Sequence, residues 1–151
     1  MCQNCRGSTA FRTDGSNGYT FAARIKANSL NGIDPIISKG NNALYLTNGK
    51  LYFRTYVNGA TQWCISTTSL QTSTWYHVAA VYEADGTMKL YLNGSLDHTV
   101  GPYTNPTNEA TTYIQIGTWG GNYFDGIIEN ARIYKRGLTA EEINLLYQNE
   151  E

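Results

Sequence analysis

Hydrophobic and polar residues alternate with a period of two along most of this chain. The clearest case is the stretch 75–82, with the sequence WYHVAAVY. Successive side chains of a strand point to opposite faces, and both sets of alternate residues here are largely apolar. The stretch therefore predicts a central strand that has a neighbour on each side and is covered on both faces.

Turn dipeptides divide the chain into short antiparallel strands. Asp85-Gly86 and Asn93-Gly94 split 75–100 into a meander of three strands, and Asn48-Gly49 joins two strands of a second meander. These dipeptides tolerate the positive φ angles that tight hairpin turns require. The pattern therefore predicts hairpins rather than crossover connections.

Further alternating stretches predict the remaining strands and the core. They are 19–27, 35–39, 62–67, 113–117 and 124–135, the last with Ile127, Ala131 and Ile133 on one face. The residues expected mainly in the interior are Phe21, Ile25, Trp75, Val78, Val81, Leu90, Ile116 and Ile133. The segments 101–111 and 118–122 lack the alternation and predict loops, which often carry functional residues.

One helix closes the chain. Thr139 begins the sequence TAEE, in which Thr139 can cap the helix while Glu142 reaches back to it, and Ile143, Leu146 and Tyr147 form an apolar stripe. Many short antiparallel strands followed by a single helix predict an all-β fold, a two-sheet antiparallel jelly-roll sandwich with one short C-terminal helix. We expect a single domain over residues 1–151, with 1–9 a loosely ordered N-terminal segment.

The composition indicates which classes of partner to expect and where the protein is located. The 151 residues include 11 Lys and Arg against 12 Asp and Glu, so a net charge of -1 gives no general attraction to nucleic acid, and we expect no nucleic-acid partner. The 12 Tyr, 3 Trp and 15 Gly with 15% charged residues are typical of secreted β proteins. We expect a secreted or cell-surface protein whose signal lies outside this sequence, without membrane insertion.

The three cysteines do not complete a recognisable site. Cys2 and Cys5 form one C-x-x-C, which fits half a zinc site, a redox pair or a local disulfide, but no second Cys or His pair has ligand spacing. A terminal segment without a catalytic role is the favoured interpretation. Cys64 lies among apolar residues, which indicates a buried, unreactive thiol.

Two motifs resemble a known family. The sequence WYHVAAVY at 75–82 followed by MKLYLNG at 88–94 resembles the W-x-H-V-A-x-x-Y and L-Y-x-[DN]-G pattern of the laminin-G-like, concanavalin A-like jelly-roll superfamily. The sequence FDGIIENARIY at 124–134, followed by LTAEEI at 138–143, is similar to that family's late strand and helix. Residues 21–26 and 37–40 match two earlier elements more loosely. The likeness covers about 19–147 and implies the same jelly-roll fold.

Two departures from the family pattern bear on metal binding. The usual tryptophan of the early strand is Arg24 here, and the usual aspartate of the late strand, which often serves a structural calcium in relatives, is Glu129. Asp14 and Glu129 could still approach a structural calcium together, since loop and strand carboxylates suit a hard cation. A solvated or locally hydrogen-bonded pair is the alternative, because calcium takes six or more oxygens.

The first functional hypothesis is a non-catalytic carbohydrate-binding, lectin-like module. Sugars present an apolar C–H face to aromatic rings and hydroxyls to amides, so a site needs exposed aromatics beside polar side chains. The Gly-rich loop with Trp119, Asn122 and Tyr123 fits best. Further candidates for binding an oligosaccharide or polysaccharide are Tyr103, Asn105 and Trp63. For each aromatic residue, ordinary packing is the alternative.

One further set of residues could contribute to a binding site. Tyr52, Arg54 and Tyr56 fall on one face of a strand and could line a groove or simply pack across strands.

A protein-binding adhesion domain is the main alternative function, because fold alone does not choose the partner. A glycoside hydrolase needs paired carboxylates, which the family's hydrolases carry as E-x-D-x-x-E. Since that motif is missing here, we expect no enzymatic activity.

Overall fold

A computed structural model of the chain describes residues 17–57, 59–103 and 113–150. The predicted N-terminal segment 1–9, including Cys2 and Cys5, lies outside the described residues, as do Asp14 and Asn105. The elements, in chain order, are β1 (Tyr19–Ala27), β2 (Ile33–Lys39), β3 (Asn42–Thr47), β4 (Lys50–Val57), β5 (Ala60–Ile65), β6 (Trp75–Tyr82), β7 (Met88–Leu92), β8 (Ser95–Val100), β9 (Ile114–Ile116), β10 (Thr118–Trp119), β11 (Asn122–Tyr123), β12 (Gly126–Tyr134) and α1 (Ala140–Asn149).

Ten of these strands form two antiparallel sheets of five. Sheet I has the strand order β12-β1-β6-β7-β8, and sheet II has the order β5-β4-β3-β2-β9, while β10 and β11 form a small separate hairpin. Strand β6 is the centre of sheet I, as its two apolar faces predict. The prediction of an all-β two-sheet sandwich with a short terminal helix is confirmed.

The core lies between the two sheets and follows the alternation of each strand. Phe21 and Ile25 of sheet I face Leu44, Leu51 and Phe53 of sheet II, and all five are fully buried or nearly so. Burying an aromatic or aliphatic side chain of this size contributes about 1.5–3 kcal/mol. Every second residue of β3 and β4 is committed to this core, so the residues between them point away from it.

The opposite face of sheet I is covered by the helix. Ile143 of α1 is fully buried in a second cluster with Ala22, Ala79 and Val81 of sheet I. The predicted capping box is confirmed: the Thr139 hydroxyl accepts from the backbone N–H of Glu142, and the Glu142 side chain accepts from the backbone N–H of Thr139. Sheet I is thus covered on both faces, by sheet II and by α1.

Two of the predicted tight turns have the expected backbone conformation. Asn48 and Asn93 both have φ of 49°, and the glycines that follow them, Gly49 and Gly94, have φ of 74° and 80°. These left-handed pairs match the right-handed twist of the flanking strands. The dipeptides therefore set the register of β3 with β4 and of β7 with β8.

A bulge in β12 overturns one predicted pattern. Register between β1 and β12 shifts between Ala22 and Arg24, opposite Asn130, whose φ is 51°. The extra residue reverses the side-chain alternation, so Ile133 packs on the core but Ile127 is 48% exposed. The expectation that Ile127, Ala131 and Ile133 lie on one face is therefore wrong.

Two of the residues expected in the interior, Ile116 and Trp75, are not fully buried. Most of the residues expected there are buried, but Ile116 is 45% exposed, because β9 is a short edge strand paired with β2 alone among the described strands. Trp75 is only partly buried. Its ring is covered by the guanidinium of Arg24, which lies 4.2 Å from the ring centroid, rather than by the core. The ring of Trp75 therefore lies at the surface, against the guanidinium of Arg24.

The edges of the two sheets are joined where β5 meets β8. Asp97 of β8 accepts hydrogen bonds from the backbone N–H groups of Thr67 and Thr68, at 2.6 and 3.2 Å. The ring Nδ1 of His98 lies 2.6 Å from the backbone oxygen of Ile65. These polar contacts close the sandwich on one side. No described helix is long and apolar enough to cross a membrane.

Candidate functional site

Sheet II carries a row of aromatic residues on the face that points away from the core. Leu44 and Leu46 of β3 point inward, so Tyr45 points outward, and in β4 the same alternation brings out Tyr52, Arg54 and Tyr56. The prediction that these three residues of β4 share one face is confirmed. From outside sheet II, the β10-β11 hairpin adds the ring of Trp119 to this face.

Three rings stack on one another across the sheet. Trp119 of the hairpin lies against Tyr45, with 5.6 Å between centroids and 26° between planes. Tyr45 lies in turn against Tyr52, at 5.3 Å and 22°. Tyr45 is the middle ring and is 8% exposed. Offset stacks of this kind contribute about 0.5–1.5 kcal/mol each beyond area burial, which makes the row rigid.

Trp63 extends the row on β5 and is its most exposed member. Its indole N–H reaches across β4 and donates to the hydroxyl of Tyr45 at 3.2 Å, while 45% of the residue remains exposed. Burial raises the pKa of Tyr45 above its usual value, although the hydrogen bond from Trp63 and the charge of Arg54 oppose the rise. The phenol is therefore neutral at physiological pH and accepts from Trp63 with its lone pair.

Arg54 stands among these rings. It pairs directly with Trp63 of β5 across one side, and its guanidinium lies 5.1 Å from the centroid of Trp119. Its Nη2 donates to the hydroxyl of Thr61 at 3.4 Å. We refer to Tyr45, Tyr52, Arg54, Trp63 and Trp119 as the aromatic face.

The charged side chains on the aromatic face have one sign. The strands of sheet II and the hairpin carry one acidic residue, Asp34, which is buried and accepts from the backbone N–H of Asp125 at 3.0 Å. Lys50 lies on the same side of β4 as Arg54 and donates to the backbone oxygen of Thr67. The charged side chains that the described strands of sheet II place on this face, Lys50 and Arg54, are therefore positive.

The loop 118–122 is a hairpin rather than an irregular loop, and it separates its two aromatic residues. Trp119 pairs with Asn122, and Thr118 pairs with Tyr123, so Trp119 and Tyr123 point to opposite sides. Trp119 is half-buried, and its indole N–H donates to the backbone oxygen of Gly40 at 3.0 Å. Tyr123 is 74% exposed. The two rings do not form a joint platform.

The other sequence candidates have different surroundings. The amide nitrogen of Asn122 donates within its own turn, to the backbone oxygens of Trp119 and Gly120. Tyr103 packs on the core edge, and its backbone oxygen accepts from the hydroxyl of Tyr82 at 3.0 Å. Of the six candidates, Trp63 and Trp119 are brought together on the aromatic face, and Asn105 lies outside the described residues.

The donor set around Glu129 does not fit a calcium ion in the described part of the chain. Its carboxylate pairs with the guanidinium of Arg24 at 3.1 Å, and the described residues hold no group of three metal-ligating side chains. A hard cation needs six or more oxygens, most of them unpaired with another cation. Because Asp14 lies outside the described residues, its pairing with Glu129 remains a prediction.

A cavity of about 110 Å³ lies between sheet I and the end of α1. The buried ring of His77 lies there with Nε2 3.4 Å from Oε2 of Glu150. Among the described residues, neither ring nitrogen has a hydrogen-bond partner. Burial lowers the pKa of His77 to about 4 and raises the pKa of Glu150. Small-molecule pockets are typically about 300–1,000 Å³, so this cavity is of a size for water molecules.

Tyr45 is the functional candidate that the sequence did not single out. It lies between two apolar residues in the sequence ALYLT, so alternation marks it as outward-facing, but nothing local predicts its neighbours Trp63 and Trp119. Those contacts depend on the order of the strands in sheet II.

The two five-stranded antiparallel sheets define a jelly-roll sandwich, the fold of lectin-like domains. Residues 7–144 match the laminin G family model described as the concanavalin A-like lectin/glucanases superfamily, and the chain belongs to this family. The resemblance carried by the two sequence motifs is therefore confirmed. A search of curated protein sequences finds no match.

Solved structures agree on the fold at low sequence identity. A candidate carbohydrate-binding protein from Bacteroides ovatus is 20% identical with a TM-score of 0.71, over 85% of this chain and 40% of that one. A SAP-like pentraxin from Limulus polyphemus is 19% identical with a TM-score of 0.62, over 87% and 70%. The binding domain of botulinum neurotoxin serotype G is 14% identical with a TM-score of 0.67, over 93% and 38%. The chain thus spans less than half of two of these proteins, and the likeness concerns the fold alone.

Proposed function

We propose that this chain is a non-catalytic carbohydrate-binding module that holds an oligosaccharide or polysaccharide on the aromatic face of sheet II. The observation that carries the proposal is Trp63, 45% exposed and held in place by its hydrogen bond to Tyr45. A sugar ring stacks on such an indole with its C–H face. The stack of Trp119, Tyr45 and Tyr52 supplies a rigid wall beside it.

The charge pattern supports binding rather than hydrolysis. Glycoside hydrolysis uses two carboxyl groups about 5–10 Å apart on the surface that holds the sugar. The aromatic face has none among its residues, and the one acidic residue of its strands, Asp34, is buried. A module of a secreted or surface protein is the context that we propose, in keeping with the lectin-like family and with the carbohydrate-binding candidate among the structural neighbours.

The test compares two aromatic residues on different surfaces. A panel of soluble polysaccharides is screened by affinity electrophoresis with the wild-type chain, and positive ligands are titrated by calorimetry. Trp63→Ala should weaken binding about tenfold, equivalent to about 1.4 kcal/mol. Tyr123→Ala, which removes an exposed ring that does not share the face of Trp119, should leave the affinity unchanged.

The two variants distinguish a site on the aromatic face from a site around Tyr123 on the other side of the β10-β11 hairpin. Loss of affinity in Tyr123→Ala with no change in Trp63→Ala would move the site to the other side of the hairpin. Both variants should keep the wild-type melting temperature within a few degrees, since both side chains are largely or half exposed. Absence of binding to every polysaccharide would contradict the proposal.

A protein ligand is the second candidate. Ile65 lies two residues beyond Trp63 on the same side of β5 and is 37% exposed, and such an aliphatic extension suits a protein or peptide surface better than a hydroxyl-rich ring. Ile65→Ser should leave saccharide affinity unchanged. A partner whose binding depends on Ile65 as much as on Trp63 would favour protein recognition.

A further inference from the structure

The arginines of the described chain differ in their ion pairs. Arg24 pairs with Glu129 at 3.1 Å, Arg132 with Glu150 at 3.5 Å, and Arg136 with Glu142 at 2.8 Å. Arg54 has no carboxylate within ion-pair distance among the described residues. It is the described arginine whose charge is left without an acidic neighbour.

Arg54 is nevertheless held in place. Cross-strand pairing sets Ala43 on one side of it and Trp63 on the other, and Ala43 is fully buried although it points outward. The small side chain of Ala43 leaves room above it for larger neighbours. The guanidinium lies 5.1 Å from the Trp119 centroid and donates one hydrogen bond, to Thr61. Since a guanidinium has five N–H donors, most of them have no hydrogen-bond acceptor among the described residues.

The surroundings favour an anion at this position. The strands of sheet II carry no acidic side chain on the aromatic face, although the whole chain has 12 acidic residues and a net charge of -1. Lys50 adds a second positive charge farther along β4. A half-buried guanidinium beside aromatic rings is also less screened than one in open solvent, which strengthens its attraction to an oxyanion.

We infer that the aromatic face is selective for acidic saccharides, with a ring stacked on Trp63 and its carboxylate or sulfate group bound by Arg54. This inference rests on the proposed function and adds the chemical class of the ligand. The planar fork of arginine matches carboxylate and sulfate oxygens with two parallel hydrogen bonds, which lysine does not reproduce. Carboxylate and sulfate share this chemistry, and the experiment distinguishes them.

Two matched pairs of polymers test the inference with the full chain. Polygalacturonate is compared with its fully methyl-esterified form, which keeps the backbone and removes the charge, and dextran sulfate is compared with dextran. The wild type should bind at least one acidic member about tenfold more tightly than its neutral counterpart. Arg54→Gln should remove that preference, and Arg54→Lys should restore part of it, because the charge returns without the fork.

Lys135→Gln is the control for general charge. Lys135 is exposed and directly follows β12, which belongs to sheet I rather than to sheet II. The substitution should leave the preference intact. An equal loss in Lys135→Gln and Arg54→Gln would overturn the inference, because attraction to net charge would then suffice. Wild-type binding to neutral polymers with no preference for acidic ones would overturn it while leaving the proposed function standing. Binding to none of the polymers in a wider panel would overturn both.

Discussion

Trp63 and Tyr45 lie on strands that are not neighbours, yet the indole N–H of Trp63 donates to the hydroxyl of Tyr45 at 3.2 Å. Strand β4 lies between them, so the two side chains together bridge about 9–10 Å of sheet. The most exposed ring of the aromatic face is thereby oriented by its most buried ring. This link makes the geometry of the face testable without a ligand.

Tyr45→Phe should free the indole of Trp63 while keeping the ring stack. The indole N–H of Trp63 should then exchange with solvent faster, as measured by nitrogen-15 NMR, and saccharide affinity should fall about three- to tenfold because the platform is less ordered. Tyr52→Phe is the matched control, because it removes a hydroxyl from the adjacent ring without touching this bond. Equal exchange rates in both variants would show that Trp63 is held by something else.

Asp97→Asn should destabilise the chain at neutral pH by about 1 kcal/mol, since one of the two oxygens that accept from Thr67 and Thr68 becomes a donor. Burial would raise the pKa of Asp97, but the hydrogen bonds from Thr68 and Thr67 outweigh it and hold the pKa below the usual 3.8.

The sign of the pH dependence follows from that depressed pKa. A carboxyl group with a lower pKa in the folded chain stabilises it above the unfolded pKa, and the stabilisation is lost as the pH falls through the folded pKa. Urea unfolding should therefore show the full difference between wild type and Asp97→Asn at pH 6 and a shrinking one below 3.8. A difference that is constant from pH 6 to pH 2 would contradict the assignment.

Cys64 should be unreactive while the chain is folded. It is fully buried, its thiol donates to the backbone oxygen of His98 at 3.6 Å, and burial together with the charge of Asp97 raises its pKa to about 12. Because the thiolate is the reactive form, a disulfide reagent at pH 8 should label it only after unfolding. A Cys2→Ser, Cys5→Ser variant isolates this thiol, and labelling of the native variant within minutes would disprove the prediction.

Asn130→Val should destabilise the chain by about 1–2 kcal/mol, because a β-branched residue is strained at the φ of 51° that the bulge requires. Asn130→Gly should stay within about 0.5 kcal/mol of wild type, since glycine adopts this conformation freely. The side chain is exposed, so the effect isolates the backbone.

Ala131→Val provides the comparison for Asn130, since it introduces the same side chain at the next exposed position without a positive φ. Chemical unfolding of the three variants should rank Asn130→Val as the least stable. Similar stabilities for the two valine variants would argue that the bulge adapts its backbone.

The sequence by itself determined the features that depend on neighbours along the chain. Asn48 and Asn93 mark their hairpins because each is followed by glycine, and the left-handed backbone that these residues allow is a local property. Thr139 and Glu142 fix the start of the helix for the same reason. The alternation of β6 gave both of its buried faces correctly, since two-sided burial needs no knowledge of which strands lie beside it.

Only the tertiary structure decided what lies across the sheets. Trp119 was expected to project from a loop, but its neighbours are Tyr45 and Arg54 on sheet II, and strand order rather than sequence distance brings them together. The bulge at Asn130 likewise reverses an alternation that reads as continuous in the sequence, because register is set by the partner strand β1. Side-chain alternation places a residue on a face, whereas the identity of its neighbours is a property of the assembled sheet.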